Sequence, residues 1–204
     1  MCMKKIVLFD TETTGLPKAR RNALSEQYNW PDLVSLSYVV YTVSSTSRTL
    51  VKRVDTIIAP EGWIIPEESV AFHKITQAHA ETNGMYLQKV LEEFATDIKD
   101  AYMIIAHNLY FDKNVIYNAM YWRRRMNPYI MWPQKAIEFC SYEKYRKELG
   151  QEKKRKDLNS LYTETFGTEA PQNAHNSMRD VEVLDSIFWK RWGLEINTMA
   201  EKID

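Results

Sequence analysis

Most of what would commit this chain to a compartment or partner by composition alone is missing. Only two of its 204 residues are cysteine, Cys2 and Cys140. They have no zinc-ligand spacing and no disulfide framework, and this usage fits a reducing cytoplasm. Charge of one sign is absent too, since 27 Lys and Arg balance 27 Asp and Glu. Adhesion to a long duplex through bulk charge is therefore excluded, while a localised basic groove is not. No apolar stretch approaches a membrane span. Only four apolar residues separate Met1-Cys2-Met3-Lys4-Lys5 from Asp10, too few for the core of a secretory signal. Internal repeats, low-complexity segments and Gly/Ser- or Pro-rich linkers are likewise lacking. The expectation is one soluble, cytoplasmic domain over residues 1–204 with no membrane partner. Hydrophobic content of 45% and charged content of 26% are ordinary for such a domain.

What is present is acidic and placed where acids are costly. Ile6-Val7-Leu8-Phe9 is an apolar run with the β-branched and aromatic content of a buried strand, read over about 5–10. It leads into Asp10-Thr11-Glu12-Thr13-Thr14-Gly15. Strand side chains alternate, so Asp10 and Glu12 point to one side at the mouth of the sheet. Two same-facing acids call for a hard divalent cation, unless the segment is simply an acidic turn. A second cluster is Ala106-His107-Asn108-Leu109-Tyr110-Phe111-Asp112. Asn108 suits a helix N-cap, and Asp112 aligns with Ile116 and Ala119 on the apolar stripe. An acid on that stripe must be partnered, whereas an acid on the outer face would only serve the helix dipole. The third cluster is His175-Asn176-Ser177-Met178-Arg179-Asp180. Here Asp180 aligns with Leu184 and Ile187, and Ser177-x-x-Asp180 also resembles a capping box. His175 lies about 140° from Asp180 around a helix, so it belongs to the loop before it.

The remaining pattern predicts a mixed α/β sheet covered by helices. Residues 33–43 and 50–58 read as an antiparallel hairpin beside a central first strand, after a polar loop over 18–29. Residues 61–83 read as irregular or short helices, 87–99 as a helix, and 102–106 as a strand. Then come a helix over 109–126, a strand near 136–139, and helices near 142–149, 157–166 and 177–192. Four acids on inward faces of different elements would meet at one sheet edge, where each like-charged pair about 4 Å apart costs roughly 4 kcal/mol.

In that order the three motifs resemble the DEDD exonucleases of the His subtype (DEDDh), which include epsilon-like and RNase T-like enzymes. Matching segments are Phe9–Gly15, Ala106–Asp112 and His175–Asp180. Phe72-His73-Lys74-Ile75-Thr76 is also similar to a His-Gly-Ile-Thr segment of epsilon-like members, with Lys74 in place of Gly. Ser177 stands where many members carry Ala. The resemblance implies a ribonuclease H-like fold, antiparallel in its first three strands and then parallel, with a catalytic core over about 4–194. It implies two Mg²⁺ or Mn²⁺ ions on Asp10, Glu12, Asp112 and Asp180, and His175 as general base. Its activity would be 3′→5′ removal of nucleoside monophosphates from single strands. The substrate would be single-stranded DNA, or alternatively RNA, and a polymerase subunit is a conceivable partner. Thr13, Thr14 and Gly15 would offer backbone and hydroxyl groups to the 3′ end, Asn108 would also bind substrate, and Leu16, His73 and Phe111 would wedge bases, core packing being the competing role. A catalytically idle nucleic-acid-binding module is the contrasting expectation.

Arg123-Arg124-Arg125 and Lys153-Lys154-Arg155-Lys156 would track phosphates or sit as solvated charge. Six Trp and twelve Tyr would stack on bases or fill the core. The chain ends 24 residues after Asp180, and this absence of a long tail favours a free-standing enzyme. Oligomeric state is not legible.

Overall fold

The computed structural model describes residues 3–150, 157–171 and 176–193. Five strands form one sheet, β1 (Lys4–Thr13), β2 (Leu33–Val43), β3 (Arg48–Ile57), β4 (Met103–Ala106) and β5 (Ile137–Cys140), in the order β3-β2-β1-β4-β5. β1 is central, as its continuous apolar run requires. It pairs antiparallel with β2 and parallel with β4; β2–β3 is antiparallel and β4–β5 parallel. The mixed sheet is therefore the one expected. One boundary differs with consequence: β1 runs through the acidic motif to Thr13 instead of ending at Asp10.

Strand alternation splits the core in two. Val7 and Phe9 face α3 (Leu87–Ile98) and α4 (Leu109–Asn118), while Ile6 and Leu8 face α7 (Leu158–Phe166) and α8 (Ser177–Arg191). α3 owes its helix to apolar residues at Leu87, Val90, Leu91, Phe94 and Ile98, all buried. Phe94 meets the rings of Tyr38, Phe9 and Trp132 at 5.1, 5.5 and 6.4 Å between centroids. Truncating it to Ala would remove about 3–5 kcal/mol.

Between β3 and α3 lie two short helices, α1 (Glu67–His73) and α2 (Gln77–Asn83). The predicted helix over 109–126 stops being α-helical at Asn118. It continues as a π-turn over Ala119–Arg123, and a short α5 (Pro128–Met131) follows. The π-turn ends beside two ion pairs, Arg123 with Asp32 at 2.7 Å and Arg124 with Glu61. Arg123 and Arg124 are thereby half-buried and paired with acids of the fold. α6 (Ser141–Glu148) follows β5 directly. The Lys153–Lys156 run lies outside the described residues.

Candidate active site

The acidic residues of β1 sit where the strand leaves the sheet. Asp10 opposes Ser37 and Glu12 opposes Ser35 on β2, and the register slips between Glu12 and Thr13. Such an irregularity re-aims side chains at a strand end. Asp10 and Glu12 share the face that carries Ile6 and Leu8, which is the face α8 covers. Asp180, in the first turn of α8, is therefore brought onto them: each of the three offers a carboxylate oxygen within 4.8 Å of the others. At that spacing an ionised pair repels by about 3 kcal/mol at an effective dielectric of 20. Burial first, then the charges of Asp112, Glu12 and Asp180, push the Asp10 carboxyl well above the usual range. Burial, then Asp180 and Asp112, push Glu12 up to about 8. Buried Arg179 donates from Nη1 to Asp180 Oδ1 at 2.6 Å and from Nε to the Pro171 carbonyl at 3.0 Å.

Asp112 does not join that trio. α4 packs on the opposite face, where Thr11 points, and Thr11 Oγ1 donates to Asp112 Oδ1 at 2.7 Å. The acids thus gather as three carboxylates within 4.8 Å and a fourth, Asp112, held by Thr11, whose charge acts on Asp10 more strongly than that of Glu12 or Asp180. Asp112 is only 4% exposed, and burial raises its carboxyl to about 7 against the opposing pull of the Thr11 hydroxyl. Ile116 and Ala119 are buried on its stripe as predicted. Asn108 does occupy the N-cap position, but its side chain makes no capping bond. Its backbone carbonyl accepts from Phe111 N–H at 2.7 Å, and the residue lines the adjoining cleft.

Ser177 is not the cap of α8. Asn176 is, accepting from Arg179 N–H at 3.1 Å. Ser177 instead lies 2.7 Å from Ser37 and 2.9 Å from Ser35, the two residues opposite Asp10 and Glu12. Ser37 spends its one proton on Asp55 at 2.8 Å, so Ser177 must donate to Ser37, and Ser35 to Ser177. This relay pins the first turn of α8 to β2 and fixes how closely Asp180 approaches. Neither Ser35 nor Ser37 was signalled by the sequence, since their role depends on strand register.

Beside Glu12 opens a cavity of about 630 Å³, lined among others by Thr13, Thr14, Gly15, Leu16, His73 and Phe111. Six of the seven expected substrate residues therefore share one space, and Asn108 lies in the neighbouring cleft. Thr13 Oγ1 donates to the Gly15 carbonyl at 2.7 Å, and Thr14 Oγ1 accepts from Asp32 N–H at 2.9 Å. Both hydroxyls thus shape the turn. Gly15 has φ 145°, which residues with a Cβ avoid. Leu16 projects freely, 83% exposed. His73 is buried, and its Nδ1 accepts from Ile75 N–H at 3.1 Å, a contact that holds the turn after α1. The neighbouring Phe72, 61% exposed, also lines the cavity, although the sequence assigned a role only to His73 of that segment. Lys74 takes φ 63° at the end of α1, the left-handed conformation that a glycine adopts more cheaply, so the turn survives the substitution. His107, beside the second motif, lies 2.9 Å from Ser141 Oγ. His175 lies outside the described residues.

An oxygen-only set of three gathered carboxylates suits a hard divalent cation. A cavity of about 630 Å³ opens beside that set, so the three carboxylates could hold such an ion next to a bound molecule. The family follows from comparison: the RNase T exonuclease family model matches residues 7–188, and the chain belongs to that exonuclease family. No curated protein sequence matches it. Among solved structures, one of exonuclease I superposes with a TM-score of 0.72 at 18% identity, covering 96% of this chain and 43% of that one. Exonuclease I from E. coli in complex with a dT13 oligonucleotide gives 0.69 at 17% identity, covering 96% and 43%. Its complex with dA16 gives 0.71 at 18%, covering 96% and 42%. The chain thus spans less than half the length of those proteins and shares their ribonuclease H-like fold.

Proposed function

We propose that this chain is a DEDDh-type 3′→5′ exonuclease releasing nucleoside monophosphates from single-stranded DNA. The observation that carries the proposal is the convergence of Asp10, Glu12 and Asp180 within 4.8 Å beside a nucleotide-sized cavity. Asp10, Glu12, Asp180 and Asp112 would hold two Mg²⁺ or Mn²⁺ ions, which when bound supply an activated water and stabilise the leaving 3′-oxygen. Asp10 feels the charge of the other three and would be among the residues holding the ions. Thr11 orients Asp112 from behind the strand. Gly15 and the turn built by Thr13 and Thr14 leave backbone groups facing the 3′ end. Leu16, Phe72 and Phe111 wall the terminal base, and His73 holds the turn that presents Phe72. His175, placed by sequence five residues before Asp180, would take the proton of the attacking water, since an imidazole titrating near 6.5 does this at neutral pH. The oligonucleotide complexes of exonuclease I support DNA as substrate.

A chromogenic ester tests the site alone. Wild-type protein is expected to hydrolyse the p-nitrophenyl ester of thymidine 5′-monophosphate with Mn²⁺ but not with EDTA, and Asp10→Ala to be inactive. Full activity in Asp10→Ala would remove the metal assignment.

A further inference from the structure

We infer that the cleft lined by Lys18, Arg20, Tyr110, Tyr142 and Arg146 carries the single strand upstream of the nucleotide being removed. This rests on the exonuclease reading above and extends it beyond the terminal nucleotide.

Continuity comes first. Leu16 and Phe111 line both the cavity beside Glu12 and this cleft of about 410 Å³. The two side chains stand on the divide, so a strand whose last nucleotide lies beside Glu12 leaves over them. The other space that touches Thr14 and Leu16 is about 210 Å³, and its arginine, Arg123, is bound bidentately by Asp32 at 2.7 and 2.8 Å. It offers about half the room, and its other cation, Lys18, also lines the larger cleft.

The chemistry of the larger cleft is that of single-strand binding. Three cations, Lys18, Arg20 and Arg146, face one carboxylate, Glu143. Glu143 engages Arg146 only loosely, at 3.6 Å. Lys18 and Arg20 have no carboxylate partner among the described residues. Arg20 lies 4.9 Å over the ring of Tyr110, which is 42% exposed. A cation beside an accessible aromatic face pairs a phosphate contact with a stacking platform and requires no particular base.

The loop carrying Lys18 and Arg20 is also held in advance of binding. Asn29 bonds both the N–H and the carbonyl of Ala19 at 2.9 Å. Trp30 Nε1 donates to the Arg21 carbonyl at 2.9 Å, and Trp122 Nε1 to the Ala23 carbonyl at 2.9 Å. Little ordering is left to oppose binding. Beyond it, a further space of about 550 Å³ shares Arg20, Asn108 and Tyr110 and continues to Lys113 and Tyr129, so the path extends past a single nucleotide.

The test compares Lys18→Ala/Arg20→Ala with wild type on the chromogenic thymidylate ester and on dT12, both with Mn²⁺, over a range of salt. The ester occupies only the terminal site, and its kinetics should stay within about twofold. KM for dT12 should rise about tenfold, and the slope of log KM against log salt should shrink by about 0.7 for each lost phosphate contact. Unchanged KM and salt slope for dT12, with ester hydrolysis intact, would overturn the upstream path. Equal damage to ester and dT12 would also overturn it, because the residues would then act at the terminal site. If wild-type protein hydrolyses neither substrate, the exonuclease reading fails first and this inference falls with it.

Discussion

Replacing Asp112 by Asn should stabilise the protein in the absence of metal, although it removes a residue of the proposed centre. Asp112 is buried, and its carboxyl is raised from an ordinary 3.8 to about 7. A carboxyl raised on folding contributes stability that is fully present below about pH 4 and is lost as pH rises through about 7. The difference corresponds to about 4 kcal/mol at pH 8. Asn keeps the bond from the Thr11 hydroxyl but brings an NH₂ whose burial costs about 1–3 kcal/mol. The net gain expected at pH 8 is about 2 kcal/mol, or a rise in Tm of about 4–8 °C for a chain of this size. Thermal unfolding in EDTA at pH 8 and pH 4 measures it. The variant should melt higher at pH 8 and no higher at pH 4. Added Mn²⁺ should raise the wild-type Tm more than that of the variant, because the ion needs the ionised carboxylate. A variant that melts at or below wild type at pH 8, or keeps its advantage at pH 4, would refute the claim that buried charge is held here against its own cost.

Four other outcomes follow from particular contacts. Ser177→Ala should cost about 1 kcal/mol by urea unfolding and lower ester turnover modestly, while Ser177→Val should cost more and lower it strongly, since it wedges α8 from β2. Arg123→Ala leaves the Asp32 carboxylate unpaired in a site 16% exposed. It should lose about 2–3 kcal/mol, with the pH dependence of stability reporting the stranded acid. Lys74→Gly should stabilise by up to about 1 kcal/mol, read as a higher urea midpoint, by relieving its left-handed conformation. His175→Ala should cut turnover by about 100-fold or more yet leave Mn²⁺ binding intact by calorimetry; loss of binding would make it a ligand.

How much of this was legible in the sequence depended on how local each signal was. The continuous run Ile6–Phe9 declared a central strand, and acids on apolar stripes at Asp112 and Asp180 declared a buried site, because burial of charge is conspicuous in one dimension. What needed the third dimension stayed hidden. The bond from Thr11 to Asp112 depends on which helix covers which face of β1, and nothing local in the sequence marks it. Ser35 and Ser37 read only as strand residues until the register set them beside Asp10 and Glu12. The break at Ala119 carries no Gly or Pro, and the π-turn ends where Arg123 and Arg124 reach Asp32 and Glu61, partners distant in sequence. Lys74 occupies a conformation its residue type does not advertise. The polar loop over 18–29 gave no periodic pattern, yet Asn29, Trp30 and Trp122 hold it in place.

The most direct test of the central claim is cleavage of 5′-labelled single-stranded DNA and RNA of the same sequence, with Mn²⁺ and with EDTA. The account predicts a ladder that shortens from the 3′ end of the DNA, requires the metal and disappears in Asp10→Ala. Internal cuts, cleavage that persists in EDTA, or no cleavage of either strand despite intact binding would contradict it.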